Sequence, residues 1–324
     1  MARYLITGVA GFVGTTVSKL LMDDGNEIIG LDSINDSYDP AIKHVRLDHL
    51  TSCDLFTFLN LDICDPGQFN KIAYAKFDAV IHLAARAGVR QSILNPQEYL
   101  QTNIMGTLNV LDFCKNTDIK KMVLASTSSL YGETNSSLIS EISQTDFPLT
   151  PYSVSKKSAE LLCYSYHYQY GIDISINRFF TVYGQFGRPD MSIFKFIKLI
   201  SEKKPITIFG DGTQTRDFTH VEDVARGTIA SLKDVQYDIF NLGSNSPVSV
   251  NKVVELIEDI LGIKAIKEFL PKNNADVSST NADVSKARKI LNWKPQLSFY
   301  EGLKKTIDWY MANRSWLKSI NIGQ

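Results

Sequence analysis

Six short runs of Val, Ile, Leu and aromatic residues recur along the first 180 residues of this chain: RYLIT (3–7), EIIGLD (27–32), FTFLNLD (56–62), DAVIHLA (78–84), KMVLAS (121–126) and DISINRF (173–179). Runs this short and this continuously apolar read as strands buried on both faces, separated by stretches with helical patterning. The pattern predicts an α/β fold built on a doubly wound parallel sheet. Residues 96–116 read as one of its helices, with Pro96 near the start and a buried stripe of Leu100, Ile104, Leu108, Leu111 and Cys114.

After residue 180 the alternation loosens and Gly, Pro and aromatic residues become frequent, as in FFTVYGQFGRPDM and PITIFGDGTQTRDF. This predicts residues 1–180 as the sheet domain, rejoined by a returning segment near 217–243 whose YDIFNLG run (237–243) adds a strand. Residues 181–216 and 244–324 then form a smaller C-terminal domain. A chain of 324 residues, 44% hydrophobic, is long enough for two unequal cores.

The 34 basic and 35 acidic residues form no run of either sign, which argues against a nucleic-acid or membrane surface as partner and for a small molecule. Cys53, Cys64, Cys114 and Cys163 lack C-x-x-C spacing, and the five histidines make no H-x-x-x-H pair, so no metal site is expected. With neither a signal peptide nor a 20-residue apolar span in view, the expectation is a cytoplasmic protein.

Directly after the first run, LITGVAGFVG carries Gly8, Gly11 and Gly14 ahead of a helix reaching about Asp24. Glycines there either let the backbone approach a pyrophosphate at the positive end of the helix or serve close packing. Asp32 ends the second run 18 residues after Gly14, where a carboxylate accepts hydrogen bonds from an adenosine ribose. Its charge would repel a 2′-phosphate, favouring NAD over NADP. Asp62 reaches an adenine edge or caps the next helix.

PYSVSKKSAE places Tyr152 and Lys156 four apart at the start of a helix predicted over 153–170. On a helix the two share a face, about 6 Å apart along the axis, whereas Lys157 points away. An ammonium beside a phenol lowers its pKa from about 10, making it a better base. An exposed i,i+4 pair is the alternative. The position of the pair, after a strand ending in Ser and Thr, favours the catalytic reading.

Together TGVAGFVG, HLAARAGVRQS, ASTSSLYG, PYSVSKK, RFFTVYGQFGRPDM and TRDFTHVEDVA resemble the extended short-chain dehydrogenases/reductases of the sugar-nucleotide epimerase and dehydratase group. The resemblance implies a Rossmann domain, bound NAD, a C-terminal domain for a UDP-sugar, and a homodimer packed through the helices at 96–116 and 153–170. It implies an NAD site of Gly8, Gly11, Phe12, Val13, Gly14, Asp32, Ser33, Asp62, Ile63, Leu83, Ala84, Ala85, Asn103, Ser126, Tyr152, Lys156 and Phe179. Such enzymes oxidise C4 of the sugar; Thr127, four before Tyr131, would hold the C4 oxygen, with Tyr152 as base and Lys156 tuning it.

Related dehydratases carry Asp-Glu immediately after that Thr, where this chain has Ser128 and Ser129; a neutral hydroxyl is a poor proton shuttle. What remains is re-reduction of the turned keto sugar, a C4 epimerisation. TVYGQFGRPDM, NDSYD and AGVRQS resemble the UDP-glucuronate branch, in which Thr181 and Arg188 would hold the C5 carboxylate. The alternative for Arg188 is a local ion pair with Asp190 or a role toward UDP. By the same resemblance Arg216 meets the diphosphate, Arg90 faces the cleft, and Phe180 flanks the sugar, although two aromatics ending a strand also suit a core. The resemblance also counts Asp276 among the substrate ligands; neutral-sugar relatives carry Arg three before it, where Asn273 stands here, which leaves the diphosphate anchor open.

Overall fold

The protein is described by a computed structural model covering residues 1–134, 136–273 and 275–323. Its strands in chain order are β1 (Arg3–Thr7), β2 (Glu27–Asp32), β3 (Phe56–Asn60), β4 (Ala79–His82), β5 (Lys121–Thr127), β6 (Asp173–Phe179), β7 (Thr181–Tyr183), β8 (Pro205–Phe209), β9 (Thr215–His220), β10 (Tyr237–Leu242), β11 (Pro247–Ser249) and β12 (Ile266–Leu270). Seven of them form one parallel sheet in the order β10-β6-β5-β4-β1-β2-β3. The chain winds outward from β1 to β3, then crosses back to β4 and winds the other way. Ligands of such sheets bind at the carboxyl ends of the strands where the winding reverses, here between β1 and β4.

All six runs read from the sequence are strands of this sheet. Two end earlier than expected, at Asn60 and His82. Past β3 the Asp62 carboxylate accepts from the Cys64 amide in a local turn, and past β4 the Ala84 amide turns to the Thr7 hydroxyl.

The helices on the sheet include α1 (Phe12–Asp23), α2 (Ala41–Thr51), α3 (Val89–Leu94), α4 (Pro96–Leu100), α5 (Gly106–Asn116) and α6 (Pro151–Tyr170). Neighbouring strand residues point to opposite faces, and both faces are buried. Leu5, Val80 and Met122 join Val110, Leu111, Ala159 and Cys163 under α5 and α6. Ile6, Ile81 and Val123 join Val17 and Leu21 of α1 and Ala225 on the other face.

Residues 96–116 are not one regular helix. A π turn at Gln101–Met105 separates α4 from α5. The extra residue in that turn rotates the pattern, so the buried side is Asn103, Gly106, Thr107, Val110, Leu111 and Cys114. Leu100, expected in the buried stripe, is 38% exposed.

Beyond β6 the small elements build a second core. β7 and β9 pair in parallel, and β9 and β11 antiparallel. β8 pairs with β12 in parallel. Ile193 and Ile197 of α7 (Ser192–Ser201) pack with Ile206, Ile208, Val254, Ile257 and Leu303. The returning segment is α8 (Val221–Ala230) and β10, which lies beside β6 from Tyr237 opposite Ile174 to Leu242 opposite Phe179. Residues 217–220, expected to return with them, belong to β9 of the small sheet.

Candidate active site

The turn from β1 into α1 is built so tightly that three of its positions admit only glycine. Gly8 has φ +73°, and a Cβ there would lie 2.6 Å from the Ala84 amide nitrogen. A Cβ on Gly11 or Gly14 would come within 2.8 or 2.2 Å of the Gly8 carbonyl oxygen. The helix begins at Phe12, so Gly14 lies inside its first turn rather than ahead of it. Asp32, at the end of β2, accepts from the amides of Ala10 and Ile34, which holds its carboxylate beside this turn. A bare backbone at a helix start with a fixed carboxylate on the next strand fits a dinucleotide.

Neighbouring groups complete the rim. Ser33 follows Asp32, and Leu83, Ala84 and Ala85 continue β4 across from Gly8. Ile63 packs against the flat face of Gly106. Asp62 is exposed and caps no helix; the cap of the following 3₁₀ turn is Asp65. Asn103 is fully buried: its amide side chain accepts from the Arg86 amide and donates to the Arg86 carbonyl and to the Ser155 hydroxyl, clamping the loop after β4 to α6. No sequence signal marks Arg46 of α2, which is fully buried and donates to Ala10 and Phe186 carbonyls, tying the glycine turn to the 184–188 loop.

α6 starts at Pro151, two residues earlier than the expected 153. Thr150 caps it, its hydroxyl accepting from the Ser153 amide, and Pro151 occupies the first turn. Tyr152 then faces the carboxyl end of β5, with Tyr99 packed edge-on 6.1 Å away. Its pKa is raised above 10.0, since burial outweighs the Thr127 hydroxyl and the Arg188 charge, both of which lower it. The fall expected from Lys156 is therefore absent; desolvation is the larger effect. Lys156 itself is pushed down to about 8 by burial, against the opposing influence of Cys163 and Glu160. Among the described residues its ammonium has no hydrogen-bond or ion-pair partner, so a donor stands ready beside the crevice for a ribose hydroxyl.

The hydroxyl run after β5 divides into separate jobs. Thr127 caps the 3₁₀ turn Ser128–Tyr131 by accepting from the Ser129 amide, and donates to the Ser129 hydroxyl at 3.1 Å. Ser126 neither caps that turn nor turns its hydroxyl to the crevice. It donates at 2.7 Å to Glu160, which also receives the Arg178 guanidinium through two bonds of 2.9 and 2.7 Å. Glu160 lies four residues beyond Lys156 on the same face of α6, continuing the ladder that begins at Tyr152; that spacing was the available signal for it.

On the opposite wall Phe12, Thr181, Arg188 and Met191 line one open cleft. Arg188 sits close enough to Tyr152 for its charge to act there, but its fork is already engaged: Nε and Nη2 meet the two Asp190 carboxylate oxygens, and Nη2 also meets the Ala87 carbonyl. The local ion pair allowed by the sequence thus forms, and Nη1 alone has no protein acceptor among the described residues. Arg90 pairs with Asp276, at 2.5 Å, and stacks on Phe209 at 3.9 Å, so these two expected ligand residues hold each other across the cleft. Arg216 lies beside that pair, feeling the Asp276 charge, with Nη1 donating to the Thr215 carbonyl. Asn273 folds back on the Ala275 amide. Phe180 is buried with Tyr131, Phe240 and Leu242, as two aromatics ending a strand suit, whereas Phe179 remains partly exposed.

Residues 4–243 match the NAD dependent epimerase/dehydratase family. A UDP-glucuronate 4-epimerase from Thermodesulfobacterium geofontis is 51% identical over 99% of this chain and 100% of its own length. The crystal structure of a UDP-glucuronic acid 4-epimerase from Bacillus cereus, in complex with UDP-glucuronic acid and NAD, superposes with a TM-score of 0.90 at 36% identity, covering 96% of this chain and 99% of that one. A UDP-glucose 4-epimerase from Thermotoga maritima, solved with UDP-glucose, gives 0.89 at 28% identity, covering 96% and 99%. With its glycine turn, its Tyr152 and Lys156 pair and its winding order all of one kind, the chain belongs to the NAD dependent epimerase/dehydratase family.

Proposed function

We propose that this protein catalyses the NAD-dependent epimerisation of UDP-glucuronate at C4, giving UDP-galacturonate. The observation that carries the reading is Arg188 placed within electrostatic reach of Tyr152 on the cleft that Phe12 and Thr181 also line. The relatives named for UDP-glucuronate support it.

NAD, held by Gly8, Gly11, Gly14, Asp32 and Lys156, supplies the reversible redox chemistry at C4. Tyr152 takes the proton of the 4-hydroxyl and returns it after the keto sugar has turned over. Thr127 orients the C4 oxygen by hydrogen bonding. Lys156 offers its ammonium to the ribose, and its charge there stabilises the phenolate. Arg188 holds the C5 carboxylate through Nη1, or through the whole fork once Asp190 yields. A 4-keto uronate is a β-keto acid and loses carbon dioxide when its carboxylate bond aligns with the carbonyl π system, so pinning that group protects the intermediate.

The engagement of Arg188 by Asp190 favours one competing reading, a 4-epimerase of neutral UDP-hexoses or UDP-N-acetylhexosamines in which the arginine only shapes the loop. Proton NMR of the anomeric region separates the two when the protein is incubated with UDP-glucuronate, UDP-glucose and UDP-N-acetylglucosamine. A galacto-configured uronate is expected. A pentose product, or turnover of uncharged sugars alone, refutes the proposal. Arg188→Ala is expected to cut kcat/KM for the uronate by about 100-fold while changing any hexose turnover only a few-fold; equal losses assign the arginine to UDP or to folding.

The functional unit in this reading is a homodimer in the cytoplasm. Met105, Val154, Leu161 and Tyr168 expose apolar surface beside Leu100 on adjoining faces of the π turn and α6, 42%, 41%, 59% and 74% exposed in turn, and a second copy would cover them. Light scattering should give twice the chain mass. The four cysteines are free thiols, which suits a reducing compartment. Among the described residues no helix is long and apolar enough to cross a membrane.

A further inference from the structure

His82 ends β4 only 1% exposed, and none of the chemistry above uses it. Its ring nitrogens meet two hydroxyls, Nδ1 with Thr7 Oγ1 at 2.7 Å and Nε2 with Thr107 Oγ1 at 3.0 Å. Donor accounting fixes the direction of both bonds. The Thr107 hydroxyl donates at 2.6 Å to the Asn103 carbonyl, so at His82 it can only accept, and Nε2 must carry the proton. A neutral ring then has a bare Nδ1, to which the Thr7 hydroxyl donates. Thr7 in turn accepts from the Ala84 amide at 3.2 Å. Burial and the neighbouring Lys156 charge push the imidazole down to about 3, which agrees with a neutral ring.

The ends of this chain lie in the two halves of the site. At one end Thr7 closes β1 directly before Gly8, and Ala84 is the residue against which Gly8 packs. At the other, Asn103 sits in the π turn, clamps both backbone groups of Arg86, and donates to the Ser155 hydroxyl, which donates at 2.7 Å to the carbonyl of Tyr152. Every donor runs in one sense from Ala84 through Thr7, His82 and Thr107 to Asn103, and no member is left unsatisfied. A buried network of this kind selects one arrangement of the elements it joins.

We propose that His82 is a positioning residue which, as the Nε2-protonated imidazole, locks the glycine turn and the start of the catalytic helix into one register through Thr7, Thr107 and Asn103. The proposal rests on the reading of Tyr152 as the base. Its first test needs no turnover and so can fail separately from that reading. Nitrogen NMR of the full chain labelled at histidine is expected to show His82 as the Nε2–H tautomer near neutral pH; an Nδ1–H ring or an imidazolium overturns the proposal. Thr107→Val keeps the shape and removes one link. It is expected to weaken NAD binding about tenfold, read by fluorescence titration, and to lower kcat about tenfold, with KM for UDP-glucuronate changed less than about threefold. A folded variant that only melts earlier, with NAD affinity and kcat intact, reduces the chain to packing and refutes the proposal.

Discussion

Lys156 is buried to 3% exposure, and that burial holds its ammonium at about 8 against an ordinary value of 10.5. At about 1.4 kcal/mol per pH unit, the folded NAD-free protein carries a cost of about 3 kcal/mol for keeping this group charged. Lys156→Met removes the charge and keeps an unbranched apolar stem, so it is expected to stabilise the NAD-free protein by about that much near neutral pH. The pH dependence follows from the sign of the shift. Below about 8 both folded and unfolded wild-type chains are protonated and the cost is fully present. Between about 8 and 10.5 the unfolded chain binds the extra proton, so wild-type stability rises with pH and the gap closes. Equilibrium urea unfolding of both NAD-stripped proteins over this range measures it. The same variant is expected to lose at least about 100-fold in turnover, making Lys156 a residue kept for function against stability. A variant no more stable than wild type, or a gap that stays constant with pH, would show that burial does not hold this ammonium down.

Three further outcomes test other parts of the site. Gly14→Ala drives a methyl group to 2.2 Å from the Gly8 carbonyl oxygen, so NAD affinity should fall at least about tenfold by titration while circular dichroism stays that of a folded protein. Glu160→Gln leaves the buried Arg178 guanidinium without its counter-charge and should cost about 3 kcal/mol in urea unfolding. The Tyr152 phenol of NAD-free protein should ionise above 10.0, found by ultraviolet difference titration against Tyr152→Phe, and Thr127→Val should move it higher still because the hydroxyl that lowers it is gone.

The central sheet was readable because its strands are covered on both faces, and continuous apolar runs have few other solutions. The glycine turn and the Tyr152 and Lys156 pair were readable because short-range geometry alone fixes them. The π turn was not: one additional residue per turn changes which side of residues 100–108 faces inward, and no residue type announces it. Long-range partners were equally hidden. Nothing near Ser126 in the chain points to Glu160, or near His82 to Thr107, since both contacts arise only once the helices lie on the sheet. Charge depends on packing in the same way. Spacing put an ammonium near a phenol, but the size of the desolvation opposing it depends on how deeply both are covered. In the C-terminal half, β7 and β11 are three residues each, too short for alternation to register.

The return of β10 to the edge of the large sheet has a consequence for biosynthesis. Until residue 242 has left the ribosome, β6 presents its open side to whatever strand it meets, and a product truncated after Phe180 would keep that side permanently bare. Two strands of the small sheet, β7 and β9, are thus translated between two strands of the large one, so no single cut after β6 separates the two lobes.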